Sequence, residues 1–103
     1  MTDAEDNALS DEELMGRIAR SDEHAFEILV QRHQRRILNL IYRSIGDRMQ
    51  AEDVAQEVFL RVWRAAEDYE PKAKFTTWVY RIAVNLCLDA LKEARRKQPF
   101  VDL

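Results

Sequence analysis

The stretch "DRMQAEDVAQEVFLRVWR", Asp47 to Arg64, decides the fold. Asp47 with Gln50 three residues on forms a capping box, and Ala51, Val54, Ala55, Val58 and Val62 then recur at the spacing of one helix face. The spacing predicts a helix that opens after Asp47 and fades near Asp68. Its other side gathers Glu52, Asp53, Gln56, Glu57 and Leu60, with Phe59 and Trp63 alongside. For an arbitrary helix the bland reading is favoured: a solvated acidic face whose two aromatics roll into the core. The sharper reading is a docking surface for a basic partner helix, with Trp63 as anchor.

Working outward, Gly46 offers the left-handed stop for a preceding helix that Ser21 can cap. That helix carries Phe26, Leu29, Val30, His33, Ile37, Leu40, Ile41 and Ile45 at helical spacing, and at ~1.5 Å per residue runs roughly 35 Å. Before it, Ser10 and Glu13 make another capping box for a short helix with Leu14 and Ile18 inward. Residues 1–9 read as a disordered acidic tail. Downstream, "DYEPKAK" (Asp68 to Lys74) is broken by Pro71 and offers only Tyr69 and Ala73 for burial. A last helix starts near Phe75, runs Trp78, Val79, Ile82, Leu86 and Ala90 along one face, and stops by Pro99. The prediction is all-α: a compact bundle of about four helices, with one longer loop between the third and the fourth.

Composition agrees with that pattern and narrows the function. The 103 residues suffice for one core, and two glycines and two prolines are too few to punctuate a sheet protein. The lone Cys87 sits in an apolar run, which suits a buried small hydrophobe in a reduced compartment. No apolar run approaches bilayer length and the N-terminus is acidic, so a cytoplasmic protein without membrane insertion is expected. His24 and His33 lack a ligand cluster, a Gly-rich phosphate loop is missing, and no nucleophile lies near a base in a known motif. Neither an enzyme nor a cofactor or metal is expected. The net charge of −3 conceals a gradient: residues 1–30 hold nine acids against Arg17 and Arg20, whereas residues 72–98 hold seven bases against Asp89 and Glu93. Charge alone more often marks a solvated face than a polyanion site.

Chemistry beyond charge concentrates where the loop meets the last helix. Thr77, Arg81, Asn85, Asp89, Lys92 and Arg96 each lie about one turn from the next, opposite the apolar face. Beside the start of this ridge stand Tyr69, Lys72 and Lys74. Unpaired bases require rings to stack on, an amide to read an edge, and cations to hold phosphates. Phe75 and Trp78 belong on the apolar stripe as core, whereas Tyr69, Arg81 and Asn85 are harder to explain that way.

Two long segments, "AEDVAQEVFLRVWR" and "FTTWVYRIAVNLCLDALKEARR", together closely resemble conserved region two of bacterial extracytoplasmic-function (ECF) sigma factors. The likeness covers Leu9 to Arg96, so residues 10–97 form the expected domain. It implies that the third helix binds the clamp helices of the RNA polymerase β′ subunit through Glu52, Asp53, Gln56, Glu57, Phe59 and Trp63. It implies further that Tyr69 and Asn85 line a pocket for a flipped base of the non-template minus-ten strand. Lys72, Lys74 and Arg81 would lie near that strand's backbone, and Lys92, Arg95, Arg96 and Lys97 near duplex or backbone upstream. Such proteins also carry a helix-turn-helix domain for the minus-thirty-five element. It is absent from this chain, and residues 98–103 read as the start of its linker. An anti-sigma factor is an implied partner. The competing expectation is a sigma-like decoy that binds an anti-sigma factor without touching promoter DNA.

Overall fold

A computed structural model describes residues 3–97. The helices are α1 (Asp3–Asn7), α2 (Asp11–Ile18), α3 (Glu23–Ile45), α4 (Arg48–Ala65) and α5 (Phe75–Lys97), with a 3₁₀ turn at Ala66–Asp68 after α4. The described residues contain no strand, so the all-α expectation holds. The linker expected at 98–103 lies outside the described residues.

Most helix boundaries follow from local chemistry. The Ser10 hydroxyl accepts from Glu13 N–H at 3.0 Å while the Glu13 carboxylate accepts from Ser10 N–H at 2.9 Å, so the capping box is complete. Gly46 closes α3 at φ 83°. Asp47 caps α4 by accepting from Gln50 N–H at 2.9 Å. The cap of α3 differs from expectation: Asp22 accepts from Ala25 N–H at 3.1 Å, while Ser21 sits at φ 67°. Ser21 N–H donates to Ile18 O and Asp22 N–H to Arg17 O, so Ser21 is the left-handed residue that ends α2.

Residues 3–9, read from sequence as a disordered tail, differ as well, because Asp3–Asn7 is helical. The physical reason is tertiary. Asp6 is buried and meets Arg17 Nη1 at 3.3 Å and His24 Nε2 at 3.5 Å, and the Asn7 carbonyl accepts from Arg32 Nη2 at 2.7 Å.

The core joins all four long elements: Leu14, Met15 and Ile18 from α2, Leu29, Ile37 and Ile41 from α3, Val58 and Val62 from α4, and Phe75, Val79 and Ala83 from α5. Full burial of a side chain such as Phe75 contributes roughly 1.5–3 kcal/mol. His33 is buried beside it, ring centroids 5.1 Å apart. Its Nε2 lies 3.0 Å from Asp11 Oδ2, an electrostatic contact without the alignment of a hydrogen bond. Cys87 is buried, which pushes its thiol pKa up, as suits a core residue. Val54 and Ala55, expected inward, are only partly buried.

Candidate nucleic-acid and partner interfaces

The bundle presents two faces of different chemistry. On the first, a groove of about 850 Å³ lies between α3 and α4. Phe26, Val30 and Leu38 from α3 and Ala55, Phe59 and Leu60 from α4 make its apolar lining, and Gln34, Arg35, Asn39, Arg48, Glu52 and Gln56 its polar one. Leu60 is 47% exposed, large for an apolar side chain in water. Phe59 is nearly buried at 8%, so it forms the floor of the groove rather than a projecting contact. Trp63 is partly buried, its ring edge-on to Phe26 with centroids 5.2 Å apart.

The carboxylates on this face are not equivalent. Glu52 pairs with Arg48 at 3.4 Å, and Glu57 approaches both Arg61 and Arg64 at 3.7 Å. These are exposed i,i+4 or similar pairs, weak in water. Asp53 and Gln56 are exposed without such partners. Of the α4 residues expected to dock a partner, Glu52, Gln56 and Phe59 line this groove and Asp53, Glu57 and Trp63 do not, and the α3 half was missed, with Phe26 and Val30 placed in the core. The available signal was the breadth of the α3 apolar arc, since Phe26, Val30 and Leu38 exceed what one packing seam can cover.

The second face is built where the loop joins α5. Tyr69 is partly buried, its ring edge-on to Trp78 with centroids 5.0 Å apart, and its hydroxyl donates to the Ala73 carbonyl. Ala73 N–H donates back to Glu70 O at 2.9 Å, so the loop is tied across itself. Burial, then the carboxylates of Glu12 and Asp11, push the Tyr69 pKa up, which keeps its hydroxyl a donor. Phe75 is core as expected, whereas Trp78 is only partly buried. Lys72 and Lys74 in the loop and Arg81 on α5 are exposed cations.

Asn85 is exposed on the same side of α5 as Trp78, two turns on and therefore about 10 Å along the axis. The ridge residues Thr77, Arg81, Asn85, Asp89, Lys92 and Arg96 are all exposed as predicted, but Asn85 flanks Trp78 instead of standing opposite it. Beyond Cys87 the helix has no fully buried residue, and its basic end is partly neutralised by Glu93, which pairs with Arg96 at 2.7 Å and Lys97 at 3.7 Å. Lys92 and Arg95 stay exposed.

Among the described residues no cluster of metal-ligating side chains occurs, and no helix is long and apolar enough to cross a membrane.

An all-helical bundle with an apolar groove between α3 and α4 and a ring-and-cation face corresponds to a known class. The family model of sigma-70 region 2 matches residues 29–97, and the chain belongs to that family. Among its relatives, the RNA polymerase sigma-H factor of Pseudomonas aeruginosa is 40% identical over 93 residues, covering 90% of this chain and 48% of that protein. The ECF RNA polymerase sigma-E factor of Haemophilus influenzae is 36% identical over 95 residues, covering 92% of this chain and 50% of that protein. The chain thus spans about half the length of these relatives. In structure it is similar to an engineered region 2 of sigmaE solved by NMR in complex with GTAAAA, with TM-score 0.81 and 33% identity over 97% of this chain and all of that one. It is also similar to CnrH, solved in complex with the cytosolic domain of CnrY, with TM-score 0.68 and 34% identity over 77% of this chain and 51% of that one.

Proposed function

We propose that this domain works inside an RNA polymerase holoenzyme, binding the β′ clamp helices through the α3–α4 groove while the loop and α5 capture and help melt the minus-ten element. The observation that carries the reading is the separation of the two faces. The groove offers an apolar floor, exposed Leu60 and the exposed amide of Gln56, and the exposed carboxylate of Asp53 stands on α4 outside the lining, which together suit an amphipathic basic helix. The loop–α5 junction offers a ring pair, exposed cations and Asn85, which suit a single strand. The likeness to a region 2 bound to GTAAAA supports the second assignment.

In this reading Tyr69 contributes shape rather than a free hydroxyl, because its donor is already spent on Ala73. Asn85 is the amide that reads a base edge, and Lys72, Lys74 and Arg81 hold the strand's phosphates. Lys92 and Arg95 add salt-dependent attraction, with Arg96 contributing less because Glu93 shares its charge. A cytoplasmic site of action follows from the partner. An anti-sigma protein that covers the groove is part of the same proposal, supported by the CnrH–CnrY likeness. The function lies in recognition, without an enzymatic step.

The test separates the faces. Asp53→Lys with Gln56→Ala is expected to abolish binding of a β′ clamp-helix fragment in calorimetry and to leave GTAAAA binding unchanged. Clamp binding that survives the double substitution contradicts the groove assignment. Clamp binding with no oligonucleotide preference points to the decoy.

A further inference from the structure

We propose that Glu12, on the far side of the sequence from the loop, is a positioning residue that fixes the loop–α5 junction and, through it, base selectivity. The inference rests on the reading of that junction as the strand-binding face. The observation is a long-range hydrogen bond: Phe75 N–H donates to Glu12 Oε2 at 2.7 Å, across 63 positions of sequence.

The contact answers a need created by the local sequence. Lys74 holds the N-cap position of α5, since its carbonyl accepts the first intrahelical bond, from Trp78 N–H at 3.0 Å. N-caps are normally Ser, Thr, Asp or Asn, whose side chains accept from the orphan amides of the first turn. An ammonium has no acceptor, so Lys74 cannot cap its own helix. Glu12 supplies the missing acceptor from α2, and its negative charge also suits the positive end of the α5 dipole. A cation therefore occupies the position facing a nucleic-acid strand, while the capping duty is carried from behind.

The support is itself anchored. Glu12 lies in the first turn of α2, within the Ser10–Glu13 capping box and next to Asp11, whose carboxylate meets Arg32 at 3.1 Å on α3. Glu12 also acts on Tyr69, whose pKa it helps to raise, so it lies near the opening of the loop as well as its end. Phe75, the residue it holds, is fully buried and carries the chain into Trp78, the ring against which Tyr69 rests. Displacing the first turn of α5 would therefore move the ring pair.

Two substitutions separate reach from charge in the 103-residue chain. Glu12→Gln keeps the acceptor and its reach but loses the charge; Glu12→Asp keeps the charge and is too short. Amide exchange at Phe75 is measured in the free protein, and the affinity ratio for GTAAAA over a scrambled hexanucleotide is measured by fluorescence titration with the clamp-helix fragment present. Glu12→Asp is expected to speed Phe75 exchange and lower the affinity ratio, each by roughly tenfold, as loss of a charge-assisted bond implies. Glu12→Gln is expected to stay within about threefold of wild type in exchange, a neutral bond replacing a charged one. A purely electrostatic role predicts the reverse, with Glu12→Gln tightening both oligonucleotides and Glu12→Asp changing nothing. That reversal, or unchanged Phe75 exchange in Glu12→Asp, overturns the proposal. Faster exchange with an unchanged affinity ratio overturns the link to selectivity. If wild type shows no preference between the oligonucleotides, the strand-binding reading fails, while Phe75 exchange still decides whether Glu12 holds the junction.

Discussion

Replacing Tyr69 by Phe and by Ala dissects the loop in two steps of known size. Tyr69→Phe removes the hydroxyl that donates to Ala73 O and keeps the ring against Trp78. A neutral hydrogen bond contributes about 1 kcal/mol net, so the loop loses roughly that much of its order. Tyr69→Ala also removes an edge-to-face contact with centroids 5.0 Å apart. Such a pair adds about 1 kcal/mol beyond its buried area, for a total of about 2 kcal/mol. If a strand binds the ordered loop, these losses convert to roughly fivefold and thirtyfold weaker binding. The assay is fluorescence titration of labelled GTAAAA with the clamp-helix fragment present. Binding by Tyr69→Phe equal to wild type shows that the Ala73 tie does not preorganise the site. Loss in Tyr69→Phe as large as in Tyr69→Ala shows that the hydroxyl, rather than the ring, meets the nucleic acid. The first result refutes preorganisation by the Ala73 tie, and the second refutes the shape-only role given to this side chain.

Three further outcomes follow from the geometry. Ser21→Gly removes a Cβ from a left-handed position at φ 67° and is expected to raise stability by about 0.5–1 kcal/mol, read as a higher urea midpoint at unchanged slope. Ser10→Ala removes the hydroxyl half of the capping box and keeps the backbone amide that donates to Glu13. The Glu13 carboxyl, held below its ordinary 4.5 first by the Ser10 backbone amide and then by the Ser10 hydroxyl, should rise towards that value in an NMR titration. Because that pKa is depressed on folding, its stabilisation is present above the ordinary value and is lost as pH falls through the folded one. Tyr69 has the opposite sign: its pKa is raised on folding, so the neutral hydroxyl's contribution is present below its ordinary 10.0 and is lost as pH rises through the folded value. Alkaline titration of wild type should therefore loosen the loop, whereas Tyr69→Phe should lose that component.

Features made by neighbours in sequence were legible from sequence. The Ser10–Glu13 box and the Gly46 stop are local, and the long apolar periodicities of α3, α4 and α5 fixed the bundle. Ser21 was misjudged because it stands next to Asp22 and both types cap helices. The tie was broken by the turn that ends α2, which uses Ser21 as its left-handed residue. Helix α1 was invisible because five residues without an apolar stripe form a helix only through tertiary ties, here Asp6 to Arg17 and Asn7 to Arg32.

The site shows the same division. The polar ridge from Thr77 to Arg96 is a property of one helix and was read correctly as exposed. The groove needs two helices, and periodicity could not tell that Phe26 and Val30 would line an opening instead of filling a core. Glu12 under Phe75 was beyond any local pattern, although Lys at an N-cap position was a sign that the acceptor had to come from elsewhere.

The central claim is that the loop and α5 read bases as well as attract phosphates, and Asn85 tests it most directly. The affinity ratio for GTAAAA over its scrambled form is measured for wild type and Asn85→Ala across a salt series, with the clamp-helix fragment present. The account predicts that Asn85→Ala lowers the ratio while leaving the salt slope unchanged, because Asn85 carries no charge to release counterions. An unchanged ratio in Asn85→Ala, or a wild type that prefers neither sequence, contradicts it.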